Sequence, residues 1–209
     1  MSLRDHYDAH VLPHLIDLVM RAPMATRERA ELIPRARGTV LEIGAGSGLN
    51  VPHYTHAVDK LYHLEPSAKL VAKARAQAQN APFPVEFLGL EGEDIPLPRD
   101  HVDTVVCTWV LCSIPGVREA LGEMHRVLKP GGRLLFVEHG RAPDARVAAW
   151  QDRLTPPWSV CAGGCHLNRR PDLLSQEAGF DMERLDQGYL DGPKFLTYHF
   201  KGLAHKAAN

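Results

Sequence analysis

The segment Leu41-Glu42-Ile43-Gly44-Ala45-Gly46-Ser47-Gly48 narrows sharply what this chain can fold into. The apolar run before it, Thr39 to Ile43, reads as a β-strand that ends in a turn lacking bulky side chains. Such a turn lets backbone N–H groups approach a ligand closely. The residues after it, Leu49–Tyr54, read as a helix whose positive end points at the same place. The next apolar run, Val58–Leu64, is followed at once by Glu65 and Pro66, so a carboxylate stands nineteen positions beyond Gly46. At about that distance an acidic residue on the neighbouring strand reaches the paired hydroxyls of a ribose. The pairing points to a nucleoside-containing cofactor.

The glycine spacing says which kind. A dinucleotide fingerprint runs G-x-G-x-x-G/A, whereas here the third glycine comes one residue early, at Gly48, and position 49 is Leu. A nicotinamide oxidoreductase is therefore disfavoured. The G-x-G-x-G form resembles motif I of the class I S-adenosylmethionine (SAM) dependent methyltransferases. That resemblance implies that the loop receives the methionine part of SAM and that S-adenosylhomocysteine is the product. By position it implies cofactor contacts from Glu42, Gly44, Ala45, Gly46, Gly48 and Asn50, with Glu65 and Pro66 on the ribose side.

With 209 residues, 44% hydrophobic and 23% charged, the chain fits one domain with a full core, here taken as residues 1–209. A net charge of −1 with interspersed signs gives no electrostatic footprint for nucleic acid. The expected partner is a small, roughly neutral acceptor molecule, and the oligomeric state is left open. No run approaches the length needed to span a bilayer, and Met1-Ser2-Leu3-Arg4-Asp5 is not a signal peptide, so the expected address is the cytoplasm, with peripheral membrane contact left open. Four cysteines in a chain of this length read as free thiols.

Along the chain, β-rich runs alternate with helical ones, the pattern of an α/β fold with a mostly parallel sheet covered on both faces. The expected strands are Thr39–Ile43, Val58–Leu64, Val85–Leu88, Val102–Thr108, Arg133–Glu138, Phe180–Asp186 and Phe195–Phe200. Seven strands match a Rossmann-like methyltransferase sheet. Besides Leu49–Tyr54, helices are expected over Ser67–Asn80, Val117–Leu128, Asp144–Leu154 and Asp172–Ala178, the first of these burying a small face of Ala68, Val71, Ala72, Arg75, Ala76 and Gln79. Lys129-Pro130-Gly131-Gly132 reads as a turn into a strand. Residues 1–37 read as an N-terminal helical lid region. Its apolar face carries Tyr7, Val11, Leu15 and Leu18, with Leu12, Ile16 and Val19 alongside, while His6, His10 and His14 share a wet face.

The stretch Leu90-Glu91-Gly92-Glu93-Asp94-Ile95-Pro96 resembles the adenine-binding segment of the same methyltransferases, which implies that the Glu91 side chain and the Gly92 N–H face adenine. Cys107-Thr108-Trp109-Val110-Leu111-Cys112-Ser113 leaves the C-terminal end of the fourth strand, where open α/β sheets place their ligands, so Cys107 and Trp109 are expected to border the cofactor. Packing, not nucleophilic attack, is the expected role of the Cys107 thiol. The run Glu123 to Gly132, reading Glu-x-x-Arg-Val-Leu-Lys-Pro-Gly-Gly, and the strand end Glu138-His139 resemble the type 11 methyltransferases. Together with Cys107 to Ser113, Trp150-Gln151, Pro157-Trp158 and Gly164-Cys165-x-Leu167, they resemble the methyltransferase-like seven branch. The branch methylates alkyl thiols, including hydrogen sulfide, which implies a thiol acceptor here. Two departures stand out: the animal members carry a hydrophobic N-terminal anchor that is not seen here, and His166 follows Cys165 where they tend to have Asn.

Methyl transfer from a sulfonium is an in-line displacement, so holding donor and acceptor collinear supplies much of the rate. A thiolate attacking a sulfonium neutralises charge, which a dry pocket favours. A free thiol has a pKa of about 8.5, so a neighbouring base or cation helps at neutral pH. His139 and His166 are the candidates, with Tyr7 as lid; for an amine acceptor Glu138 or Asp191 would take the proton. N- or O-methylation of a lipid head group, quinone precursor or other metabolite is the alternative, and a non-catalytic SAM-binding protein a further one. Cys161-Ala162-Gly163-Gly164-Cys165-His166 has poor ligand spacing, so no metal is expected and Trp158 and His166 read as pocket walls.

Overall fold

The computed structural model describes residues 6–7, 10–88, 92 and 94–208. Seven strands form one sheet: β1 Gly38–Ile43, β2 Val58–Leu64, β3 Val85–Leu88, β4 Val102–Thr108, β5 Leu128–His139, β6 Phe180–Tyr189 and β7 Tyr198–Lys206. Their order is β3-β2-β1-β4-β5-β7-β6. The first five pair in parallel, and β7 runs antiparallel to both β5 and β6. The order reverses beside β1, so the C-terminal ends of β1 and β4 open a crevice, the place where doubly wound sheets hold ligands.

The helices are α1 Leu12–Met20, α2 Pro23–Leu32, α3 Ala68–Ala78, α4 Val117–Val127, α5 Ala145–Cys161, α6 Pro171–Glu177 and the single turn α7 Lys194–Thr197. Both sheet faces are buried, as a parallel sheet requires. Leu41, Ile43, Cys107 and Phe136 pack with Leu121 and Met124 of α4 on one face; Val40, Val106, Leu135 and Val137 pack with Leu32 and Ile33 on the other. A third, smaller cluster groups Cys112, Cys165 and Leu167 with Leu154 and Trp158.

Six expectations need correction. Leu49–Tyr54 is not an α-helix: only Val51–His53 makes a 3-10 turn, because Pro52 disfavours helical backbone at Val51 and removes an N–H. The segment directly behind the glycine turn therefore contributes no α-helix dipole. Helix α5 continues past Leu154 through Pro156 and Pro157 to Cys161, which carries Trp158 onto the third cluster. Strand β5 begins at Leu128, so Lys129–Gly132 bulges within it instead of preceding it, and β7 begins at Tyr198 after the α7 turn. Helix α3 buries Leu70 and Ala74, not the expected face. Helix α1 is turned outward: Leu12, Pro13 and Asp17 are buried, whereas Val11, Leu15, Leu18 and the neighbouring Ile16 and Val19 are exposed.

Candidate active site

The glycine turn is shaped as its sequence requires, by three left-handed backbones: Gly44 at φ 60°, Gly46 at 57° and Gly48 at 79°. Each serves a different end. A Cβ on Gly44 would lie 2.1 Å from Val110 Cγ2, so the loop after β4 leans directly on it. A Cβ on Gly48 would meet Ala74 Cα at 3.2 Å, so this glycine lets α3 approach. At Gly46 nothing but the Gly44 carbonyl oxygen, 3.9 Å away, comes near. Gly46 faces open space.

Glu65 is buried at the end of β2, its Oε2 accepting from Gly46 N–H at 3.0 Å and its Oε1 from Ser67 N–H at 2.8 Å. Burial raises its carboxyl, and these two N–H groups oppose the rise. Pro66 beside it is exposed. Ala45 ties the turn to β2 through its N–H, which donates to the Leu64 carbonyl. Glu42 lies beneath the turn, fully buried: Oε1 accepts from Asn50 Nδ2 at 2.8 Å and Oε2 from the Tyr54 hydroxyl at 2.8 Å. Burial pushes its carboxyl up to about 7. Asn50 completes the link by accepting from Arg29 Nε at 3.0 Å, and the Arg29 guanidinium stands 5.1 Å from the Trp109 ring. Trp109 itself has φ 51°, a backbone that side chains rarely adopt.

Helix α1 lies against this turn. Asp17 accepts from the Ser47 hydroxyl and, at 2.8 Å, from Lys73 Nζ of α3. Upstream, the Tyr7 hydroxyl donates to the Cys161 carbonyl at 2.8 Å, tying the N-terminal segment to the end of α5. His10 and His14 are exposed and meet Lys69 and Lys73, so the wet-face expectation agrees with the geometry.

A second group lies across the Val110 loop. Glu138, buried at the end of β5, accepts from Val110 N–H at 2.8 Å and Leu111 N–H at 3.0 Å through Oε1, while Oε2 is buried without a hydrogen-bond partner among the described residues. Burial pushes this carboxyl up to about 8. Next in sequence, His139 Nε2 lies 3.1 Å from Cys165 Sγ, which also receives the Trp158 indole N–H at 3.3 Å. Cys112 Sγ is 3.3 Å from the Ser113 hydroxyl. Arg169 donates to the Leu111 and Ile114 carbonyls, bracing the loop from outside. The geometry thus joins the glycine turn to a cluster of two sulfurs and an imidazole through one loop.

A methyltransferase domain model matches residues 41–136. The human thiol S-methyltransferase TMT1A is 32% identical over 83% of this chain and 72% of that protein. The chain is a class I SAM-dependent methyltransferase. Rat thiol S-methyltransferase TMT1B is 36% identical over 71% of this chain, and the match spans 62% of the rat protein. The phosphatidylethanolamine N-methyltransferase of Cereibacter sphaeroides is 29% identical over 61% of the chain and 64% of that protein. A solved SAM-dependent methyltransferase from Aquifex aeolicus superimposes with a TM-score of 0.63 at 19% identity, covering 93% of this chain and 98% of that one, and supports the fold. SAM is the cofactor of the family.

In this methyltransferase the expected cofactor residues converge at the C-terminal ends of β1, β2 and β4, with three qualifications. Glu91 lies outside the described residues; its neighbour Gly92 is buried, and a Cβ there would sit 3.3 Å from Ile43 Cγ2. The Cys107 side chain points into the core, its thiol 3.7 Å from Met124 Sδ and pushed well up by burial, so it offers a ligand no side chain. Glu42 and Asn50 are committed to Tyr54, Arg29 and each other, and so support the turn from below. On the other side, His139 joins the sulfur wall, but His166 turns its Nδ1 to the Gly164 carbonyl at 2.7 Å, and Asp191 is exposed in its turn. Sequence reasoning missed Cys112 and Cys165 as a pair, since 53 positions separate them. The only signal was that both sit in the segments shared with the thiol-methylating branch.

Proposed function

We propose that this methyltransferase transfers the methyl group of SAM to the sulfur of a small thiol. One observation carries the reading: the loop whose Val110 leans on Gly44 also carries Cys112, whose sulfur groups with His139 and Cys165, soft groups suited to a sulfur acceptor. The similarity to thiol S-methyltransferases over most of the chain supports it.

SAM supplies an electrophilic methyl group on a sulfonium. Gly46 leaves the space for it, Glu65 keeps acceptor positions for the ribose hydroxyls, and Gly92 closes the adenine side. A carboxylate has about four acceptor sites, of which Glu65 uses two, so two hydroxyls fit without displacing the turn. The proposed role of Glu138 is to fix Val110 and Leu111 between donor and acceptor through its Oε1. His139, beside the Cys165 sulfur, is the group proposed to favour the acceptor thiolate. Trp158 and His166 wall the pocket, and α1 with Tyr7 serves as lid, excluding water that would stabilise the separated charges.

The experiment is S-adenosylhomocysteine release from protein and SAM across hydrogen sulfide, small alkyl thiols, amines, phenols and phosphatidylethanolamine vesicles. Turnover confined to thiols is expected. Turnover on amines, phenols or lipid alone overturns the thiol acceptor and leaves methyl transfer standing.

A further inference from the structure

Among the described residues, one group of soft metal ligands converges: Cys112 Sγ, a ring nitrogen of His139 and Cys165 Sγ all lie within 4.8 Å of one another. We propose that they form a mononuclear site for a thiophilic cation, zinc in the first instance, with Cys112, His139 and Cys165 as protein ligands and the fourth tetrahedral position open to an acceptor thiolate.

The donor set is two sulfurs and one imidazole, the combination that zinc prefers and that hard cations such as calcium or magnesium do not. Around a tetrahedral zinc, ligand atoms of this kind stand roughly 3.5–3.8 Å apart. The 3.1 Å between His139 Nε2 and Cys165 Sγ needs to open by only a few tenths of an ångström. The three ligands come from the loop after β4, the end of β5 and the loop after α5, so the tertiary fold, and not a local motif, assembles them. Cys161 takes no part: it is exposed, with its sulfur against the Pro157 and Trp158 carbonyls. That is why the C-x₃-C spacing misleads.

Support around the ligands fits the proposal. Trp158 Nε1–H points at Cys165 Sγ, the Ser113 hydroxyl stands beside Cys112 Sγ, and His166 N–H holds the Cys112 carbonyl at 2.8 Å. Contacts of this kind orient ligating sulfurs. Two thiolates, one neutral imidazole and a divalent zinc sum to zero charge, so the filled site costs little to bury. Three protein ligands with one position free is the arrangement of zinc sites that act on a bound group.

The claim about the fourth position rests on the thiol reading above. A thiol entering it loses its proton to solvent as its sulfur forms a bond to zinc and displaces water, which yields a thiolate at neutral pH.

The test is titration of metal-free full-length protein with Co²⁺, read by absorption, alongside zinc retention after dialysis. About one equivalent of Co²⁺ is expected to give a thiolate charge-transfer band and the strong d–d bands of a tetrahedral site. Cys112→Ser and Cys165→Ser are each expected to lower affinity on the order of 100-fold or more. Cys161→Ser should leave it unchanged, and a zinc-induced rise in the wild-type melting temperature supports binding without any variant. Absence of these bands and of retained zinc in the wild type overturns the metal site and leaves thiol methylation standing. A shift of the d–d bands on adding a small alkyl thiol supports the open position; a cobalt spectrum indifferent to thiols, amines and phenols keeps the metal site and overturns thiol ligation.

Discussion

Glu65 Oε2 accepts a hydrogen bond from the Gly46 N–H at 3.0 Å, so the carboxylate proposed to grip the ribose also pins the turn that receives the rest of the cofactor. The two halves of the proposed site are thereby one mechanical unit. Glu65→Ala removes both functions. It is expected to raise the SAM dissociation constant by roughly 30- to 100-fold, the equivalent of one or two charge-assisted hydrogen bonds, with far-UV circular dichroism unchanged. Calorimetric titration checks it, and wild-type affinity in the variant would remove Glu65 from the site.

The glycines separate packing from binding. Gly44→Ala places a methyl 2.1 Å from Val110 Cγ2 on a left-handed backbone, and should cost roughly 3 kcal/mol of stability. Gly46→Ala meets no side chain and should cost only about 1 kcal/mol, from its backbone alone. Yet it should abolish SAM binding, because its methyl enters the ligand's space. Thermal melts with and without SAM distinguish the two variants, and Gly46→Ala protein that still shifts with SAM would move the cofactor elsewhere.

Asp17 fastens helix α1 to the glycine turn. Its burial alone would raise the carboxyl, but hydrogen bonds from Lys73, Ser47 and Arg21 prevail and hold it at about 2. A carboxyl depressed in the folded state adds stability above its unfolded value, lost as pH falls through the folded one. The Asp17 contribution of about 2 kcal/mol should therefore be complete above pH 4 or so and fade toward pH 2. Asp17→Asn is expected to lower the melting temperature at pH 6 and to narrow that gap by pH 3. A gap that stays constant with pH would show the carboxylate to be unpaired in solution.

Glu42 has the opposite sign. Burial pushes its carboxyl up to about 7, so the folded protein prefers it protonated, and stability is lost as pH rises from the ordinary carboxyl range through 7. Glu42→Gln keeps an acceptor for Asn50 and a partner for Tyr54 without the charge. Relative to wild type, its stability should improve by on the order of 2 kcal/mol between pH 5 and pH 8. Denaturant melts at the two pH values read the difference; none would mean that Glu42 ionises normally.

Strands β2, β3 and β4 were legible to the residue, because runs such as Val102-Asp103-Thr104-Val105-Val106-Cys107-Thr108 alternate between two buried faces of a parallel sheet. Helix ends were less so. Pro156 and Pro157 signal a stop, yet α5 passes through them, since Trp158 beyond gains its contacts at Cys165. Outward-facing Leu18 and Val19 also mislead: amphipathicity identifies a helix, but here Asp17 decides which face turns inward by pairing with Ser47 and Lys73. The turn Gly44–Gly48 was readable because its chemistry is local. The wall of Cys112, His139 and Cys165 was not, because its members meet only across two loops and a strand end.

Strand β7 follows β6 in the chain but lies inside the sheet, between β5 and β6, with Gly202 accommodating the Phe136 ring. Chain order and spatial order therefore differ at this edge. The parallel strands β1 to β5 pair among themselves, whereas among the described strands β6 pairs with β7 alone and reaches the rest of the sheet through it. His139, at the end of β5, pairs in register with His199 of that hairpin. The proposed acceptor side thus leans on the last strand of the chain, and a chain cut before β7 could keep the glycine turn while the end of β5 lost its neighbour.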